Sequence, residues 1–138
     1  MRYSKVTGIA PKEYLYSTVG NQSDSYTLAS GLGSTDDEGN YYLNKGVVLA
    51  VITSGDAAGK VGPYDTTASD GRETASNIVG FNDTFVVDNS EDADVGVLYR
   101  GTVDETYCTC DGTLGTISGA AAAVLCDNAD AGLDITIR

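Results

Sequence analysis

The residues of this chain that could do chemistry are three cysteines, two acidic stretches and one glycine-flanked lysine. Cys108-Thr109-Cys110 with Cys126 offers three thiols. A structural zinc site needs a fourth ligand and usually a C-x2-4-C pair, so these read as small buried or half-exposed thiols rather than a metal centre. Gly55-Asp56-Ala57-Ala58-Gly59-Lys60-Val61 resembles a phosphate loop but is one residue short between its glycines. It also carries Val where a magnesium-binding hydroxyl would stand, so it reads as a hairpin turn. Asp88, Glu91, Asp92 and Asp94 invite a calcium reading, but they do not alternate as EF-hand ligands do and have no central glycine for the turn. Asp36-Asp37-Glu38-Gly39-Asn40 reads as a second solvated turn. With no histidine and no Gly-x-Ser-x-Gly, no nucleophile–base pair can be assembled. Fifteen aspartates make chance carboxylate pairs common, so a glycosidase pair cannot be singled out. The reading is non-enzymatic, with no cofactor and no metal.

The 138 residues suit one domain with one modest core. Twenty acidic against eight basic side chains give a net charge of −12, which argues against gripping nucleic-acid phosphates. The longest apolar runs, 46–52 and 119–125, fall far short of the ~20 residues of a membrane helix. Met1-Arg2-Tyr3-Ser4-Lys5 lacks the apolar stretch of a secretory signal. Synthesis in the cytoplasm is therefore expected, with reduced cysteines and with Asn21-Gln22-Ser23 and Asn82-Asp83-Thr84 as accidental sequons.

Residues 1–44 stand apart. Six of the nine tyrosines lie there among Gly, Ser, Thr, Asn and Asp, and no helical or strand period lasts. Such a stretch buries little by itself, so it is expected to be an extended arm held by a partner, with tyrosine supplying contact area. Residues 45–138 are expected to be the folded, β-rich domain. Short β-branched runs predict strands at 46–52, 60–64, 78–81, 84–87 and 95–103. Their roughly ten-residue spacing, with Gly and Asp turns between, predicts a small barrel or sandwich. Residues 118–126 predict one short helix capped by Ser118, and 134–137 a closing strand.

One further pattern runs through the middle of the chain. Lys45-Gly46-Val47-Val48-Leu49 is followed by Gly59-Lys60-Val61, Tyr64-Asp65, Asp70-Gly71, and Ala75 with Ile78-Val79-Gly80. Val95-Gly96-Val97-Leu98-Tyr99-Arg100-Gly101-Thr102-Val103 comes next, and an Ala-rich helix and short strand close the chain. In this order 43–138 resembles the lambda-type head decoration proteins of tailed bacteriophages. The long tyrosine-bearing arm, the lack of Trp and the 108–116 loop depart from that family. The resemblance implies a β-clip-like domain that trimerises on the outside of the expanded capsid, at three-fold and quasi-three-fold positions. It would bind the major capsid protein and itself, with no nucleic acid and no membrane, and cement the shell against internal DNA pressure. The arm residues expected to carry capsid contact are Tyr3, Val6, Ile9, Tyr14, Leu15 and Tyr16. Two rival readings stay open: a virion fibre or host-surface module that binds sugar or protein, and a small carboxylate hydrolase.

Overall fold

The computed structural model describes residues 13–126 and 132–138. The protein is mainly β, with one short helix near its C-terminus. Strand β1 (Leu15–Leu28) is followed by a two-stranded ribbon of β2 (Ser34–Thr35) and β3 (Tyr41–Tyr42). Strands β4 (Val48–Val51), β5 (Val61–Pro63), β6 (Ile78–Asn82) and β7 (Ala93–Val103) come next. A hairpin of β8 (Thr109–Cys110) and β9 (Thr113–Leu114) precedes helix α1 (Gly119–Cys126) and strand β10 (Asp134–Ile137).

The main sheet runs β1-β5-β4-β6-β7-β10, and β1 also pairs with β7, so five strands form a ring. Closure at β5 rests on one parallel pair, Leu28 with Val61, and on the Ala29 N–H donating to the Val61 carbonyl at 3.0 Å. Strand β10 lies parallel to the end of β7, from Asp134 opposite Arg100 to Ile137 opposite Val103. The 55–59 segment is the hairpin turn between β4 and β5, with Gly59 N–H donating to Ile52 O at 2.8 Å.

Strand β4 explains why its run is apolar without alternation. It is covered on both faces, as such runs require. Val48 and Ala50 enter one cluster with Phe81, Leu98, Val103, Cys108, Leu125 and Ile135. Val47 and Leu49 enter the other, inside the ring, with Leu28, Val61, Val95 and Val97. The helix lies on the first cluster through Ala121 and Leu125, one turn apart on a single stripe. Its start is the expected one: Ser118 Oγ accepts the Ala121 N–H at 3.3 Å. Strand β6 passes so close to β7 that a Cβ on Gly80, at φ +142°, would sit 2.1 Å from the Leu98 carbonyl oxygen. Only glycine fits that crossing.

Two expectations are corrected. The fold does not divide between residues 44 and 45. Tyr14 is fully buried, β1 pairs with β7 from Leu15–Val103 to Leu28–Ala93, and Leu43 bridges to Val86. Residues 14–44 are therefore part of the domain, held by main-chain pairing and by the buried side chains of Tyr14, Leu28, Ala29 and Leu43. Residues 1–12 of the expected arm lie outside the described residues. The strand expected at 84–87 is reduced to a single bridge at Val86. Asn82 ends the ladder instead, its amide donating to Asn44 O at 2.9 Å and Thr84 O at 2.8 Å. That commitment, in a fully buried residue, also keeps the 82–84 sequon from serving as an acceptor in the folded protein.

Candidate docking face

Four of the exposed large apolar side chains among the described residues, Tyr16, Val19, Tyr107 and Leu114, lie on segments linked to one another near the start of β1, while Tyr41 lies on the β2–β3 ribbon. Tyr14 anchors the start of β1 from within. Its hydroxyl donates to Asp83 Oδ1 at 2.7 Å, its ring lies 6.0 Å from that of Phe81, and its carbonyl accepts the Asp104 N–H at 2.7 Å. Burial first, then the bond to Asp83, raises the Tyr14 phenol well above its ordinary range, so it stays neutral. Gly46, at φ +84°, makes room for this ring, since a Cβ there would meet Tyr14 Cβ at 2.7 Å.

From this anchor the chain turns outward. Leu15 is half-buried, whereas Tyr16 is 57% exposed, with the Arg138 guanidinium 5.0 Å from its ring centroid. Between Ser17 and Gln22 the register with β7 slips, so four residues of β1 lie against Gly101 alone. Val19 stands on this bulge at 84% exposure. The neighbouring turn, Glu105–Tyr107, is tied to the C-terminus by Glu105 N–H donating to Arg138 O at 3.0 Å. It presents a partly exposed Tyr107. Cys108 O accepts the Gly115 N–H at 2.9 Å and so draws in β9, whose Leu114 is 65% exposed. Two tyrosines, two aliphatic residues and one arginine thus follow one another along a continuous run of hydrogen-bonded segments. Aromatic and Arg side chains of this kind dominate protein–protein contacts.

Of the residues expected to make contact, Tyr16 is exposed, Leu15 half-buried and Tyr14 fully buried. Tyr3, Val6 and Ile9 lie outside the described residues. Val19, Tyr107, Leu114 and Arg138 were not singled out from the sequence. The available signal was isolation: Val19 and Leu114 each sit alone between a threonine and a glycine.

Several of the groups that invited chemical readings take part in local structure, as does Asp111, while Cys126 is exposed. Cys108 and Cys110 are buried, and burial, then Asp104 and Glu105, push the Cys108 thiol up to about 12. Its Sγ donates to Asp104 O at 3.3 Å. Asp92 accepts the Ser30 N–H at 2.9 Å and pairs with Lys60, and both Oδ atoms of Asp111 take Thr66, at 2.9 and 2.7 Å. Among the described residues no group of three or more His, Cys, Asp or Glu is placed to hold a metal ion. No helix among them is long and apolar enough to cross a membrane. No family model and no curated protein matches this chain.

Proposed function

We propose that this protein is a structural decoration protein of a phage capsid, as the resemblance in its middle and C-terminal sequence implies. The observation that supports the reading best is the exposed run of Tyr16, Val19, Tyr107 and Leu114 beside the point where the first twelve residues join the ring. In this reading that run and the sequence-expected contact residues Tyr3, Val6 and Ile9 meet the major capsid protein. A trimer matched to a three-fold site engages three such surfaces at once, so individually weak contacts combine. Protein that binds only the expanded shell stabilises that state by mass action, by a few kcal/mol per site when occupancy is high. The acidic surface leaves it indifferent to packaged DNA.

The test is a rupture curve of DNA-filled heads stripped of this protein and then given it back. Wild-type protein raises the rupture temperature, and a chain lacking residues 2–12 folds normally but neither binds nor protects. The deletion has to stop before Tyr14, because removing that buried residue would destabilise the core as well as test attachment. Identical rupture temperatures with and without the wild-type protein would reject the reading.

A further inference from the structure

Strands β6 and β7 pair only at Phe81–Leu98 and Asn82–Val97, then part. The gap opens into a cavity of about 510 Å³, within the size range of small-ligand sites. Tyr26 and Asp24, two residues apart on β1 and so about 7 Å along the strand, line it together with Tyr99 of β7. Tyr99 is held in place by its hydroxyl, which donates to Gln22 Oε1 at 3.1 Å. Ser76 and Asn77 line it from the short turn before β6, and Val51 and Val79 add apolar surface. None of these groups serves the docking face.

We infer that this cavity is a binding site for a neutral saccharide. A sugar ring alternates C–H faces with hydroxyls, and the lining offers matching partners for both. Tyrosine faces and valine methyls suit the C–H surfaces. The Asp24 carboxylate accepts from hydroxyls, tyrosine and serine hydroxyls can donate or accept, and Asn77, whose Nδ2 donates to Gly71 O at 2.8 Å, offers its Oδ1 as an acceptor. Burial, then the Asp24 charge, holds the Tyr26 phenol above its ordinary range, so it remains a donor at neutral pH. The described lining contains no Lys or Arg and does contain Asp24, and the whole chain carries −12. A sialylated or phosphorylated ligand would therefore be repelled.

The inference does not depend on the decoration reading, because it is tested on the isolated protein. Amide shifts in a 15N–1H spectrum are followed during titration with maltotriose, chitotriose and lactose, with 3′-sialyllactose and choline as charged probes. At least one neutral sugar should give saturable shifts at residues 24–26, 76–79 and 99. Asp24 is exposed, so Asp24→Lys should leave the melting temperature unchanged while weakening that sugar at least tenfold. Tyr99→Phe, which keeps the ring, should weaken it less than Asp24→Lys does. The inference is overturned if no neutral sugar gives saturable shifts up to about 20 mM, a concentration that would reveal even millimolar affinity. It is equally overturned if the shifts fall elsewhere, if Asp24→Lys binds like wild type, or if either charged probe binds as tightly.

Discussion

Tyr14→Ala separates a core residue from an attachment residue, two roles that its sequence context does not distinguish. The side chain is fully buried, packs near Phe81 and donates to Asp83. Truncating a buried aromatic costs about 3–5 kcal/mol from lost transfer and the cavity left behind. Tyr14→Phe keeps the ring and loses only the hydrogen bond. Asp83 is half-buried, so water takes part of the place, and the loss is about 1–2 kcal/mol. Tyr16→Ala removes an exposed ring and falls within about 0.5 kcal/mol of wild type. For a chain of this size each kcal/mol moves the melting temperature by roughly 3–5 °C. Tyr14→Ala should therefore melt about 10–20 °C lower, Tyr14→Phe several degrees lower, and Tyr16→Ala unchanged. Circular dichroism melts and urea titrations of the isolated protein measure all three with no capsid present. A Tyr14→Ala loss below about 1 kcal/mol would mean that the residue belongs to an arm after all, and the reasoning about β1 would fail.

Gly80→Ala should lose at least ~2 kcal/mol in urea titration, because its methyl collides with the Leu98 carbonyl at a backbone angle that side chains resist; wild-type stability would show that β6 and β7 are not so close. Asn89→Ala should cost about 3 kcal/mol or more and speed amide exchange at residues 32 and 33. This fully buried side chain accepts from Leu32 and Gly33 N–H and donates to Ala29 and Glu91 carbonyls; unchanged exchange there would contradict that role. The Asp65 carboxyl is held below its ordinary range mainly by the Thr67 hydroxyl and N–H, and that of Asp92 by Lys60 and the Ser30 N–H. Groups with depressed folded pKa values contribute stability above the unfolded carboxylate value of about 3.9 and lose it as pH falls through the folded one. With no histidine to titrate, the urea midpoint should stay level from pH 7 to about 5 and fall below about 4; a decline already under way between pH 7 and 5 would refute this.

What could be read from the sequence follows from where each segment's stabilising interactions reside. Strands β4, β6 and β7 and helix α1 bury their own side chains in the two clusters, so their apolar runs announced them. The hydroxyl of Ser118 and the 55–59 turn act locally, and local chemistry is visible in a sequence. Strand β1 is the contrary case. Its sequence, Leu-Tyr-Ser-Thr-Val-Gly-Asn-Gln-Ser-Asp-Ser-Tyr-Thr-Leu, sends only Leu28 among the residues whose burial is described fully into the core, and a long ladder with β7 holds the strand. Backbone pairing is nearly independent of side-chain type, so such a strand leaves no period to find. The same cause hid the candidate sites. Tyr16 and Tyr107 are brought to one end by links to Arg138 and Asp104, and Tyr26 and Tyr99 to one cavity by strands that part. Those are long-range geometries, and residue spacing along the chain does not encode them. The tyrosine-rich composition of the first 44 residues did carry information, but not about one arm. It marked three destinations for the same side chain: Tyr14 in the core, Tyr16 on the exposed surface and Tyr26 in the cavity wall. Which destination each takes depends on whether its place in or just before β1 faces the core, the solvent or the gap beside β6, and that is decided only when the ring closes.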